Sequence, residues 1–129
     1  MAKYNKIALD AVGRLKAGVD PRSAWALSAA DAYPDQSSAR EKVCPRSTFL
    51  GLVDAGALVG IPAASELSKS INARYALEAI DALRSEPGLA ERPSQLWERT
   101  SGAPKQQNGQ LEVVLALWNA GLITDSPAR

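Results

Sequence analysis

The chain of 129 residues predicts an all-α fold, a compact irregular bundle of five to six helices. Three observations carry that reading. Apolar residues recur at three- and four-residue spacing in one stretch after another, which is the period of a helix with one buried face. The apolar content is rich in alanine and includes a single phenylalanine. Side chains that bury so little area fill a core only where helices approach closely. Finally, Asp-Pro, Ala-Gly and Pro-Gly pairs punctuate the chain where helices would begin and stop.

The first helix is expected from Lys3 to Ala17, with Tyr4, Ile7, Ala8, Ala11, Val12 and Leu15 on one face and Asn5, Lys6, Asp10 and Arg14 on the other. Gly18 ends it. Asp20-Pro21 is a start signal, a capping carboxylate followed by proline at the first helical position. The second helix carries Ala24, Trp25, Leu27, Ser28, Ala29 and Ala32 before Pro34 stops it. A polar stretch follows, with one helical turn at Ser38, which has Glu41 three residues on. Cys44-Pro45 opens the third helix, whose core residues are Phe49, Leu50, Leu52 and Val53 and whose stop is Gly56.

Ala57 to Leu67 is ambiguous. Leu58, Val59 and Ile61 suit a very short extended segment near 57–61, while Gly60 and Pro62 argue against a longer strand. Ser70 or a neighbour caps the fourth helix, with Ala73, Ala76, Leu77, Ile80 and Leu83 inward and Pro87-Gly88 closing it. A short helix from Ser94 to Arg99 carries Leu96 and Trp97. Ser101 to Gln107 reads as a loop, and Asn108 opens a last helix with Leu111, Val114, Leu115 and Trp118 in its core stripe. The reading is one domain over 1–124 with a frayed tail over 125–129, and the first, third, fourth and last helices forming the core.

One pattern recurs. Leu15-Lys-Ala-Gly-Val19, Val53-Asp-Ala-Gly-Ala57 and Trp118-Asn-Ala-Gly-Leu122 each place glycine just past a helix end, followed by an apolar residue that folds back on the last turn. Leu50 to Gly56 further aligns with Leu115 to Gly121. Duplication and convergence on one helix stop both account for this, and no longer period stands out.

Composition narrows the functions. Fifteen basic against fourteen acidic residues leave a formal charge of +1, so the whole molecule exerts no long-range pull on nucleic acid or an anionic membrane. One cysteine forbids an internal disulfide and fits a reducing compartment; with no apolar run of membrane-spanning length, the expectation is a cytoplasmic protein. Histidine is absent, which removes the usual proton shuttle and the commonest metal ligand. No cofactor, zinc spacing, phosphate loop or nucleophile elbow is legible, so an enzyme is not expected.

Cys44-Pro45-x-x-x-Phe49-Leu50-Gly51-Leu52, then Gly60-Ile61-Pro62, then Asn72-x-x-Tyr75-Ala76, with Val113 to Trp118 and Gly121-Leu122-Ile123 at the end, resembles an uncharacterised bacterial family of small helical proteins. The resemblance covers most of the chain from Cys44 onward. It implies one domain of unknown function and transfers no site residues.

Three places could carry a function. At the third helix start, free N–H groups with Arg40, Lys42, Cys44, Arg46, Ser47 and Thr48 have the chemistry of an anion or metabolite site, and the same setting would favour a Cys44 thiolate. Ser68, Lys69, Asn72 and Arg74 are of types that reach phosphates or bases, and with a second helix over Pro62 to Ile71 they would make a helix-turn-helix-like nucleic-acid face. Against this stand the long linker from Gly56, Glu66 in the reading face and the balanced charge. Trp25 and Trp118 are expected in the core. Trp97, on a short helix between prolines, is expected to be partly exposed and to anchor an interface. By elimination the leading expectation is a non-enzymatic module that binds another protein or a copy of itself. Nucleic acid is the second reading and anion binding the third.

Overall fold

The computed structural model describes residues 3–64, 71–100 and 109–124. Helices dominate them: α1 (Tyr4–Lys16), α2 (Pro21–Ala32), the single turn α3 (Ser37–Arg40), α4 (Val43–Asp54), α5 (Ile71–Ser85), α6 (Pro93–Glu98) and α7 (Gln110–Asn119), with a 3-10 turn at Pro87–Glu91. The expected cap at Ser70, loop over Ser101–Gln107, helix start at Asn108 and frayed tail over 125–129 lie outside the described residues.

Local signals set the ends of these helices. The Asp20 carboxylate accepts a hydrogen bond from the Ser23 backbone N–H at 3.1 Å and Pro21 stands at the first position of α2. Hydrogen bonds from Ser23, side chain first and then backbone, hold the Asp20 carboxyl below the usual carboxylate range. Each of the three Ala-Gly stops is a Schellman turn. Gly18, Gly56 and Gly121 have φ of 98°, 68° and 73°. The apolar residue after each donates back to the helix, Val19 to Arg14 O (2.9 Å), Ala57 to Leu52 O (3.0 Å) and Leu122 to Leu117 O (2.9 Å).

Helices α1, α4, α5 and α7 pack around one core, α1 against α2 and α7, and α5 against α4 and α7. Ile7, Trp25, Phe49, Leu52, Ile80, Leu83 and Leu117 are fully enclosed, each contributing roughly 1.5–3 kcal/mol through its removal from water. Close approach occurs at Gly51: a Cβ there would collide with the Cβ of Ala73 and lie 2.9 Å from its Cα, so α4 and α5 nearly touch backbone to backbone. Arg14 ties α1 to α2, its Nε donating to the buried Ser28 hydroxyl at 3.1 Å and its Nη2 reaching Asp31 at 2.5 Å.

The ambiguous segment is neither helix nor strand over 57–64. Leu58 pairs with Ile123 in an isolated antiparallel bridge, with Val59 donating to Leu122 O at 2.8 Å and Thr124 donating to Ala57 O at 2.9 Å. A shift of 65 residues turns either bond into the other, so the two similar helix ends meet as equivalents.

The likeness extends through the chain. Lys6-Ile-Ala-Leu-Asp-Ala-Val12 of α1 matches Arg74-Tyr-Ala-Leu-Glu-Ala-Ile80 of α5. Tyr4, Ile7, Ala8, Ala11 and Val12 are buried, and so are Asn72, Tyr75, Ala76, Ala79 and Ile80 at the matching positions. The i,i+4 ion pair Lys6–Asp10 recurs as Arg74–Glu78. Pro21 to Trp25 of α2 matches Pro93 to Trp97 of α6, each a helix opened by proline with its tryptophan buried. The chain is therefore built from two like units, α1–α2–α4 and α5–α6–α7, in which the first helix of each packs on the last helix of the other. A fixed period misses this because the spacing between matched helices is 68, 72 and 65 residues, as the connecting segments differ.

Two sequence expectations about faces are corrected. Leu27 is exposed, because it lies one residue round the helix from Ser28, beyond the single face that α2 turns inward. In α7 the buried residues are Leu111, Val113, Val114 and Leu117, while Leu115 and Trp118 are only half-buried. That helix carries apolar residues on two faces, and its packing between α1, α4 and α5 selects the other one.

Candidate functional site

At the start of α4 the helix begins at Val43, two residues before Pro45, so Cys44 lies inside the first turn and Lys42 is the N-cap, without a side-chain cap bond. Arg40 is the last residue of α3. Arg40, Cys44, Arg46 and Ser47 are half-buried. Thr48 is withdrawn from the proposed ligand set, being buried with its hydroxyl donating to the Cys44 carbonyl at 2.8 Å. The Lys42 ammonium sits 5.6 Å from the centre of the Tyr4 ring, a cation–π contact that occupies it within the protein. Tyr4 lies 5.9 Å from Tyr33, over which the Lys3 ammonium rests in the same way. Glu112 faces this corner. Burial raises its carboxyl above the usual value, while the Lys42 charge and the Tyr4 backbone N–H pull it back. Burial likewise raises the Tyr4 phenol, with Tyr33 and Glu112 adding to the effect. Lys42 is thus engaged by the Tyr4 ring and by Glu112, and Lys3 by the Tyr33 ring.

Only part of the proposed nucleic-acid face lies among the described residues. Ser68 and Lys69 fall outside the described residues. Asn72 is buried and its Oδ1 accepts a hydrogen bond from Gln110 Nε2 at 2.9 Å, which joins α5 to α7 and turns the side chain inward. Arg74 is exposed, but it lies over the Tyr75 ring at 5.6 Å and pairs with Glu78 at 3.7 Å. No helix forms over 61–64.

Trp97 is corrected outright. It is 5% exposed, packed edge-on against Tyr75 with ring centres 5.4 Å apart, and the Thr100 hydroxyl closes its turn by donating to the Trp97 carbonyl at 2.7 Å. A one-and-a-half-turn helix cannot hold itself in water, and this ring is what docks it. Trp25 is enclosed as expected, 5.2 Å from Phe49.

The tryptophan that reaches solvent is Trp118. Together with Arg84, Ile123 and Thr124 it lines a cavity of about 180 Å³ between the C-terminal ends of α5 and α7. Arg84 Nη2 donates to the Thr124 carbonyl, and Arg84 Nη1 lies 3.6 Å from Asp81. Leu122 and Ile123 are half-buried beside it, and the exposed Val59 is joined to Leu122 by its backbone bond. The result is an apolar corner with one cation at its edge. Its signal in the sequence was the excess of apolar residues on α7: the six consecutive apolar residues from Val113 to Trp118, with Leu111 before them, leave more than one face to choose from.

A second cavity, of about 360 Å³ and lined by Lys3, Ala32 to Gln36, lies at the end of α2, where Lys3 Nζ donates to the Ala32 carbonyl and the Tyr33 hydroxyl accepts from the Lys3 backbone N–H. No group of His, Cys, Asp and Glu that could hold a metal occurs among the described residues, and none of their helices is long and apolar enough to cross a membrane. Residues 1–124 match the model of a family of unknown function, DUF6979. No curated protein and no solved structure matches the chain.

Proposed function

The chain belongs to this family of unknown function, and we propose that it serves as a non-enzymatic module that binds another protein or a second copy of itself through the corner around Trp118. One observation carries the reading: a large aromatic ring, half-buried against the core, keeps an open edge in a cavity, with Ile123, Leu122 and Val59 beside it. Covering the open edge of such a ring removes apolar surface from water at low side-chain entropy cost, and tryptophan and arginine are enriched among the residues that dominate interface energetics. The absence of histidine from the sequence agrees with a role that does not depend on proton transfer near neutral pH.

The test is Trp118→Ala. The variant is expected to keep its helical circular dichroism, since the ring is half-exposed, and to lose association by about 2 kcal/mol or more. Sedimentation equilibrium reads self-association, and peptide or partner binding reads capture. A Trp118→Ala protein that associates as the parent does would remove the corner as the contact surface.

A further inference from the structure

Resting on that reading, we infer that the cavity at Trp118 seats an acidic side chain that a peptide segment of the partner presents next to an apolar one. The walls have two chemistries. Trp118 and Ile123 are apolar; Arg84 and Thr124 are polar. The Arg84 side chain is a quarter exposed and pairs with Asp81 at 3.6 Å and with the Thr124 carbonyl; a guanidinium has five N–H donors, more than these two contacts use. The Thr124 hydroxyl oxygen is buried without a hydrogen-bond partner. A buried hydroxyl in that state carries a desolvation cost that an incoming acceptor offsets. A carboxylate accepts from the guanidinium in a charge-assisted bond, and a turn of the Thr124 side chain toward the cavity gives its hydroxyl the same acceptor. The neighbouring alkyl or aryl group of the same peptide then covers Trp118 and Ile123. The size agrees, since about 180 Å³ holds side chains rather than a cofactor.

Comparison of the two units separates what the fold needs from what it does not. The position of Trp118 is held in the first unit by Val53, which is buried and whose carbonyl accepts a hydrogen bond from Ala64 N at 3.3 Å. The position of Arg84 is held there by the exposed Lys16. The same helix end is thus built and closed in the first unit without a tryptophan or an arginine. In the second unit these two residues add a binding surface to a scaffold that folds without them.

A library of random twelve-residue peptides displayed on phage, selected on the whole protein, tests this. Displayed segments have no free C-terminus of their own, so a carboxylate in them belongs to a side chain. The expected sequences carry Asp or Glu within one or two positions of a large apolar residue. Synthetic versions should bind about tenfold more weakly when that residue becomes Asn or Gln, and Arg84→Gln should cost a similar factor. Arg84→Lys should recover part of the loss, and added salt should weaken the parent complex more than the Arg84→Gln complex. Peptides that need Trp118 but ignore both Arg84→Gln and the amide exchange would overturn the inference and leave the proposed function standing. Peptides indifferent to Trp118→Ala as well would overturn both. If Arg84→Gln fails to fold, the Arg84→Lys and amide-exchange arms still decide.

Discussion

Gly51 shows how far one residue can set the spacing of the core. Its missing Cβ lets α4 lie against Ala73 at backbone distance, so Gly51→Ala must push the helices apart or displace the Ala73 backbone. The expected loss is about 1–3 kcal/mol, read as a lowered urea midpoint with an unchanged slope. Glu112 makes a prediction about pH. Its carboxyl is raised by burial, so the folded protein holds that proton more tightly than the unfolded chain does. The stability it contributes is complete below the ordinary glutamate value and declines as pH rises through the folded value. Glu112→Gln removes that decline. The melting temperature of the variant, relative to the parent, is therefore expected to rise between acid and neutral pH, and calorimetry across that window checks it. A difference that falls over the same window would mean that the Lys42 charge and the Tyr4 amide outweigh burial.

Among the elements, α6 is too short to stand alone. Six residues make too few hydrogen bonds to persist, and Leu96 and Trp97 fasten them to α5 and the Pro87–Glu91 turn. Trp97→Ala should cost about 3–5 kcal/mol of stability, seen as a large drop in thermal midpoint, whereas Trp118→Ala should leave the midpoint close to that of the parent. Both tryptophans were legible as apolar residues on helices. Which of them faced out was not, because a short flanked helix and a helix with two apolar faces each look one way in isolation and another against neighbours. The α4 corner divides similarly. Arg40, Lys42, Cys44 and Arg46 do gather at a helix start, as their spacing indicated, but the Tyr4 ring that engages Lys42 comes from a helix some forty residues earlier. No local pattern contains that contact.

The whole molecule is two like units joined at the Leu58–Ile123 bridge, with the first helix of each resting on the last helix of the other. Such an arrangement makes the halves mutually dependent, since α1 and α5 each need the last helix of the other unit to complete their cover. Prepared as separate chains divided between Ala64 and Ile71, the two halves are expected to show little helix alone and to regain it on mixing, measured as far-ultraviolet circular dichroism of the mixture against the sum of its parts. Full helicity in either half alone would contradict the exchange of partners. By itself the sequence determined the start of α2 and the ends of α1, α4 and α7, because Asp20-Pro21 and the three Ala-Gly turns act through hydrogen bonds within a few residues of each end. It also determined the all-α class, through periodicity and small side chains. Only the tertiary structure decided which apolar face of α7 is covered, that Asn72 is spent on Gln110, and that the second unit keeps Trp118 at the surface. Those outcomes depend on groups dozens of residues apart competing for the same buried space.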